Sequence, residues 1–323
     1  MRIALSTGDP AGIGPEVALK AARDERLREH QVLLVGEPPI LAEAARRLGL
    51  RDPDHVVASR SSTPLSTLFS GKASAESGRA AAAAVRRAIE LVRGGQADAL
   101  VTAPINKEAL GMAGEPYPGH TELLATELAA PRTRMMLAGG PLRVVLVTTH
   151  LAIADVPRSI TRELVLETIL VAHEALEADF GLTKPRIVVC GLNPHASDGG
   201  RFGDEEARII APAIAAARAR GVAVEGPFPA DTLFARVAKK GSGTDAVIAL
   251  YHDQGLIPVK LAAFGSAVNV TLGIPIVRTS PDHGTAYDIA GKGVAEHDSI
   301  VLACLTAAEI VRARRQGEAS RVR

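Results

Sequence analysis

Disulfide bonding has almost nothing to work with in this chain: its 323 residues include two cysteines, Cys190 and Cys304, far apart and each in an apolar stretch. Both are expected to be reduced core thiols. Apolar runs long enough to span a bilayer are also missing. The first residues pass from Met-Arg-Ile-Ala-Leu straight into Ser-Thr-Gly-Asp-Pro. That leaves no apolar stretch of leader length, and a cytoplasmic location is expected. There is little net charge, since 37 Lys and Arg offset 36 Asp and Glu to leave +1. Outside a basic C-terminal tail no basic stripe with interleaved aromatics occurs, which disfavours nucleic-acid binding. A Walker A lysine, His-Glu-x-x-His, Gly-x-Ser-x-Gly and any cysteine cluster are all absent. P-loop, zincin, zinc-ribbon and α/β-hydrolase chemistry are therefore unsupported.

What remains is an ordinary globular balance of 47% hydrophobic and 23% charged residues. The length exceeds what one core usually reaches, so one large or two medium domains are expected. Strand-like runs cover 2–6, 32–35, 99–102, 187–190, 247–250 and 268–270. Helical patterns cover 15–27, 39–48, 75–92, 119–129, 161–180, 204–219 and 296–315. Runs at 135–137 and 142–149 read as a hairpin about Gly139 and Gly140. Such alternation predicts an α/β protein with a mostly parallel sheet. No repeat or flexible linker interrupts it, so any domain division is expected to be discontinuous.

Three histidines, His150, His195 and His252, each follow a run that reads as a buried strand. Ligands of open α/β sheets gather at the carboxyl ends of strands, so three imidazoles there point to one metal site. Any one alone would read as a polar residue marking where a strand leaves the core. His30, His55 and His297 lie in polar surroundings. His173 sits in a helix whose buried stripe belongs to Val165, Ile169, Ala172 and Leu176.

Other polar clusters follow strands or open helices. Gly8-Asp9-Pro10-Ala11-Gly12-Ile13-Gly14-Pro15-Glu16 is neither a Walker loop nor a Rossmann fingerprint. It reads better as a tight glycine turn with Pro15 at the first helical position than as a phosphate cradle. Gly119-His120-Thr121-Glu122 opens a helix, where unpaired N–H groups suit a phosphate; equally, Thr121 could cap the helix with His120 in solvent. Lys260, Asn269 and Arg278 are polar residues embedded in apolar sequence. Lys260 reads as a snorkelling surface lysine or, beside a metal, as a group for proton transfer or anion binding.

Together these segments resemble the 4-hydroxythreonine-4-phosphate dehydrogenase family of pyridoxal phosphate biosynthesis. The resemblance runs through the Gly8–Glu16 block, Gly119–Glu122, Thr148-Thr149-His150, Gly191-Leu192-Asn193-Pro194-His195, Pro229-Ala230-Asp231-Thr232-Leu233-Phe234, Tyr251-His252-Asp253-Gln254-Gly255 and Asp282-His283-Gly284-Thr285-Ala286. Residues 283–293 are also similar to the cofactor loop of β-decarboxylating dehydrogenases such as isopropylmalate dehydrogenase.

The resemblance implies a two-domain α/β/α isocitrate/isopropylmalate dehydrogenase-like fold, mostly parallel with some antiparallel pairing and not Rossmann. It divides the chain into a cofactor-side domain, 1–124 with 265–323, and a metal and dimerisation domain, 125–264, with the active site between them. By the same resemblance His150, His195 and His252 are ligands of one divalent ion (zinc, magnesium or cobalt), one of them supplied across a homodimer interface. Asp231 lies close to the site and Lys260 is the proton-transfer candidate. His120, Thr121, Lys260, Asn269 and Arg278 would bind the phosphorylated amino-acid substrate. His283, Gly284, Thr285, Ala286 and Asp288 would bind NAD or NADP. Where the family reads Ala-Gly-Glu-Gly-Gly, this chain has Ala196-Ser197-Asp198-Gly199-Gly200, and Ser197 tolerates positive φ less well than glycine. Dehydrogenases of 4-phosphothreonate or 4-phosphoerythronate share the motifs. A metallohydrolase of a phosphorylated metabolite or a noncatalytic metabolite binder would leave the 283–293 loop without a task.

Overall fold

The structure, a computed structural model, describes residues 1–117 and 119–321. The chain forms two compact units, one of Met1–Pro131 with Ile274–Val311, the other of Arg132–Gly273 with the chain beyond Val311. Unit 1 begins with β1 (Arg2–Ser6), α1 (Gly14–Ala21), β2 (Gln31–Gly36), α2 (Pro38–Arg47), β3 (Val56–Ala58), α3 (Ala75–Arg93), β4 (Ala99–Thr102), α4 (Lys107–Met112) and α5 (His120–Glu127). Unit 2 follows with β5 (Arg134–Gly139), β6 (Leu142–Leu146), α6 (Val156–Ser159), α7 (Arg162–Ala178), β7 (Ile187–Cys190), α8 (Ala211–Arg218), β8 (Val224–Phe228), α9 (Ala230–Val237), β9 (Ala246–Ala249), α10 (His252–Ala263) and β10 (Val268–Leu272). The chain then returns to unit 1 with β11 (Arg278–Pro281) and most of α11 (Asp298–Arg321).

The strands of unit 1 run in the order β3-β2-β1-β4-β11, all parallel. Those of unit 2 run β10-β5-β6-β9-β7-β8. Pairings β10–β5 and β5–β6 are antiparallel and the remainder parallel. Parallel strands are covered on both faces, which is why β4, β7 and β9 are apolar runs buried at every position. Both cysteines are free and buried. Burial pushes the Cys304 thiol up to about 12, so it stays protonated. No helix among the described residues is long and apolar enough to cross a membrane.

Several expectations shift. The first helix ends at Ala21, and a 3-10 turn over Glu25–Leu27 follows because the Asp24 side chain accepts from Arg26 N and starts a new local bond. The runs ahead of His150 and His252 leave the sheet at Leu146 and Ala249, and His252 opens α10 rather than closing a strand. Sequence reading missed β3, β8, β11, α4, α6, α9 and α10. β3 has three residues and α4 six. β8 contains Gly226-Pro227 and α10 contains Gly255 and Pro258, all of which read as breakers. β11, Arg-Thr-Ser-Pro, is polar yet wholly buried.

Candidate functional site

Strand order explains how distant histidines approach each other. β6, β9 and β7 are adjacent and parallel, so the segments that follow them emerge at one edge of unit 2. Val147 N and Thr148 N donate to Ala249 O and Leu250 O, extending the β6–β9 register past the last strand residues. Gln254 accepts from Leu250 N and donates to Gly191 O, both at 2.7 Å, joining the ends of β9 and β7. Gly255 has no room for a side chain: a Cβ would stand 2.8 Å from both Val144 and Leu146.

The His150 and His252 rings lie 5.6 Å apart, centroid to centroid, tilted by 43°. They line a cavity of about 320 Å³ with Thr149, Tyr251 and Asp253. Two imidazoles on one tetrahedral ion, with bonds of about 2.1 Å, would stand about 5 Å apart, so this pair fits a shared ion. Asp253 Oδ1 lies 2.7 Å from His252 Nδ1. A proton held there leaves Nε2 as the donor to a metal. Among the described residues no group of three or more His, Cys, Asp or Glu is placed to hold a metal ion within one chain. His195 is exposed, with its ring beside Phe202 at 6.4 Å.

His195 starts an unusual backbone segment. Six successive residues have positive φ: His195 53°, Ala196 51°, Ser197 71°, Asp198 43°, Gly199 69° and Gly200 98°. The left-handed conformation costs non-glycine residues roughly 1–2 kcal/mol each. Four of them approach the lower end of a domain's whole net stability, about 5 kcal/mol, so outside contacts must hold the turn. Glu206 provides them: Oε1 accepts from Leu192 N at 2.8 Å and Asn193 N at 2.7 Å, and Oε2 from Asn193 Nδ2 at 3.0 Å and from Ser197 Oγ. Burial raises the Glu206 pKa, but its bonds from Ser197 and Asn193 prevail and keep the carboxylate below its usual range. Asp231 is exposed in the first turn of α9, which packs on this segment.

In unit 1 the chain reverses direction across the sheet between β1 and β4, the place where a Rossmann unit would open for its dinucleotide. Here the crevice is closed by the chain itself. A Cβ on Gly8 would stand 2.3 Å from Pro104 O, and on Gly12 2.5 Å from Thr285 O. Asp9 N, Ala11 N, Gly12 N and Ile13 N donate to Pro104 O, Asp9 Oδ1, Asp9 O and Thr285 O. No phosphate can claim those donors, and the glycine block is the tight turn leading into α1.

That turn grips the 283–293 loop. Asp9, 0% exposed, accepts from Tyr287 OH at 2.7 Å and Ser77 Oγ at 3.4 Å. Buried Glu16 accepts from Ala295 N, while Lys20 bonds Glu16, Gly293 O and Ala295 O. Burial raises the Asp9 pKa against the pull of its donors. Within the loop, Gly284 and Asp288 are exposed, Thr285 is buried, and Ala286 is left-handed at φ 40°. His283 Nε2 is sealed from solvent with no hydrogen-bond partner.

His120 opens α5 after Gly119, which occupies the cap position without a side-chain bond, so Thr121 is not the cap. His120 Nε2 is likewise sealed and unpartnered, not in solvent. Burial, then the nearby Arg278 guanidinium, hold its pKa well below the ordinary value, so the ring is neutral. Arg278 is 1% exposed in β11 and donates to Thr102 Oγ1 at 2.6 Å. Burial lowers it to about 9, still a cation at neutral pH. In unit 2, Lys260 is half-buried in α10, and Asn269 in β10 has a sealed, unpartnered Oδ1. The sealed atoms at His120, Asn269 and His283 are among several such atoms in the described residues, and each leaves a hydrogen-bonding position that a ligand could use. Sequence reading missed Asp9 as the partner of Tyr287, Glu206 as the clamp on the His195 turn, and Gln254. Each sits inside or beside a motif block, but only tertiary contact gives it a partner.

Comparison with known proteins bears on this arrangement. The family profile described as "Pyridoxal phosphate biosynthetic protein PdxA" matches residues 28–307. A relative named 4-hydroxythreonine-4-phosphate dehydrogenase, from Geobacter metallireducens, is 49% identical, covering 98% of this chain and 97% of its own. Among solved structures, the 4-hydroxythreonine-4-phosphate dehydrogenase of Klebsiella pneumoniae is 39% identical with a TM-score of 0.87, over 96% of this chain and 99% of that one. A terephthalate 1,2-cis-dihydrodiol dehydrogenase from Burkholderia xenovorans LB400 is 32% identical with a TM-score of 0.65, over 97% and 98%.

Proposed function

Since the chain belongs to the PdxA family of pyridoxal phosphate biosynthetic proteins, we propose that it carries out the reaction for which its relatives are named. The 3-hydroxyl of 4-phosphooxy-L-threonine is oxidised by NAD or NADP. The resulting 3-oxo acid loses carbon dioxide, leaving 3-amino-2-oxopropyl phosphate.

The observation that carries this reading is the 1% exposed Arg278 of β11, whose charge acts on His120, the residue that opens α5 and whose Nε2 is sealed. A buried guanidinium is stabilised by an anion, and the first turn of a helix adds N–H donors for one. His120, Thr121 and Arg278 are assigned to an anionic group of the substrate, with the sealed Oδ1 of Asn269 accepting from its ammonium or hydroxyl. The 283–288 loop, fixed through Asp9 and Glu16, is assigned to the dinucleotide, with His283 Nε2 and the exposed Asp288 as its polar contacts.

His150 and His252, with His195 and a homodimer that supplies one of the three imidazoles across its interface, are assigned to the metal. Imidazole donors suit zinc or cobalt better than magnesium, which prefers oxygen. A bound divalent ion would supply Lewis acidity to the reacting hydroxyl and the enolate of decarboxylation. Lys260 moves the hydroxyl proton, and Asp231 orients groups at the site.

The test is turnover with purified substrates. Reduction of NAD or NADP on 4-phosphooxy-L-threonine is expected; activity on 4-phosphothreonate or 4-phosphoerythronate with none on phosphothreonine would replace the substrate. Phosphate release without nucleotide reduction would replace the chemistry. His195→Ala is expected to lower metal content and turnover together, and retention of both would remove His195 from the metal site.

A further inference from the structure

We propose that Glu206 is the positioning residue that holds the left-handed turn over 195–199 and thereby aims His195. The inference rests on the reading of His195 as a metal ligand. Glu206 is 4% exposed and lies at the start of a single π-helical turn, Glu206–Ile210, which runs directly into α8. Insertions of this kind recur at functional sites. One carboxylate oxygen receives two successive backbone donors, Leu192 N and Asn193 N, so the chain entering the turn is fixed as β7 ends. The other receives Ser197 Oγ and Asn193 Nδ2, which fixes the middle of the turn.

The fit is close on every side. A Cβ on Gly191 would meet Ala196 Cα at 2.9 Å and Glu206 Oε1 at 3.1 Å. On Gly203 it would meet Glu205 Oε2 at 2.5 Å and Asn193 Nδ2 at 2.8 Å. Glu205 itself accepts from Asn193 Nδ2 at 2.7 Å. Ser197 stands at φ 71°, a conformation glycine would take without penalty. Its hydroxyl bond to Glu206 compensates for the side chain. His195 makes no bond to Glu206. The carboxylate acts through the backbone, as outer groups do when they orient a metal ligand.

The experiment measures Co²⁺ affinity by calorimetry and hydrogen exchange at the Leu192 and Asn193 amides. The proteins compared are the full-length parent, Glu206→Ala, Glu206→Gln, the double variant Glu206→Ala with Ser197→Gly, and His195→Ala. Glu206→Ala is expected to weaken Co²⁺ binding by about 10–100-fold and to expose both amides. Glu206→Gln keeps one carbonyl acceptor and should fall between. Adding Ser197→Gly should recover part of the affinity, because glycine takes the left-handed conformation without the clamp; a merely structural role for Glu206 predicts no such rescue. Parent-like Co²⁺ affinity in Glu206→Ala, while His195→Ala binds weakly, overturns the proposal. If His195→Ala itself binds Co²⁺ like the parent, the metal reading of His195 fails and exchange decides alone: exposed amides in Glu206→Ala keep Glu206 as the organiser of the turn, protected ones remove it. Should Glu206→Ala fail to fold, Glu206→Gln answers the same questions, and parent-like Co²⁺ binding together with parent-like exchange in Glu206→Gln overturns the proposal.

Discussion

Replacing Tyr287 with Phe removes a single hydroxyl and leaves the ring in place. That hydroxyl donates to Asp9 at 2.7 Å. Asp9 is fully buried and would keep only Ala11 N at 2.8 Å and Ser77 Oγ at 3.4 Å. A hydrogen bond to a charged acceptor contributes about 1.5–3 kcal/mol. For a unit of about 170 residues, each kcal/mol shifts the thermal midpoint by roughly 2–4 °C. Tyr287→Phe is therefore expected to lower the midpoint of unit 1 by roughly 3–12 °C at pH 7.

The pH dependence has a definite sign. The folded pKa of Asp9 lies above its ordinary value, chiefly through burial. Its contribution to stability is then complete below the unfolded pKa, about 3.9, and is lost as pH rises through the folded one. Removing the Tyr287 donor raises the folded value further, so the penalty of the variant should be full at neutral pH and shrink on acidification. Scanning calorimetry at several pH values, with Asp9→Asn and the double variant to complete a cycle, measures this directly. The dinucleotide KM should rise more than kcat falls, because the hydroxyl steadies the 283–288 loop and is assigned no part in the chemistry. Unchanged midpoints at neutral pH, or strictly additive single variants, would refute the argument that this bond holds the loop.

Two further outcomes are expected. Gly191→Ala puts a methyl group 2.9 Å from Ala196 and 3.1 Å from Glu206, overpacking that should cost about 1–3 kcal/mol in chemical denaturation and weaken metal binding. Arg278→Met removes the cation that helps keep His120 neutral, so the His120 ring should titrate at higher pH by NMR, with kcat/KM for the phosphorylated substrate falling by about 100-fold for an anion contact worth about 3 kcal/mol.

Much of the fold was legible because burial leaves a local trace. The strands at 2–6, 99–102 and 187–190 coincide with β1, β4 and β7, since a parallel strand covered on both faces must be an apolar run. The buried stripe assigned to Val165, Ile169, Ala172 and Leu176 in α7 is present. β11 and α10 escaped because their local signals oppose their tertiary state. Arg278 and Thr279 are polar residues placed in a core, and Pro258 lies inside a helix.

The candidate site divides in the same manner. His150 and His252 were conspicuous as polar residues after apolar runs, but they meet because β6 and β9 are neighbours, which no spacing along the chain encodes. The glycine block at 8–16 could be read as a phosphate cradle or a tight turn; the choice depended on where its N–H groups go, and Pro104 and Thr285 take two of them. Helix 120–127 was visible in its residues, yet whether His120 faced solvent or a buried guanidinium was settled only when β11 brought Arg278 into place.

By itself the sequence determined the α/β class, the mostly parallel sheet and the family, because alternating burial and ordered motif blocks are properties of the chain. Partnership was decided by tertiary structure alone. Asp9 with Tyr287 are 278 residues apart, and Glu206 acts on a turn nine to fourteen residues before it. A buried charge is defined by what surrounds it, and in a parallel sheet those neighbours come from segments the chain reaches only after crossing over.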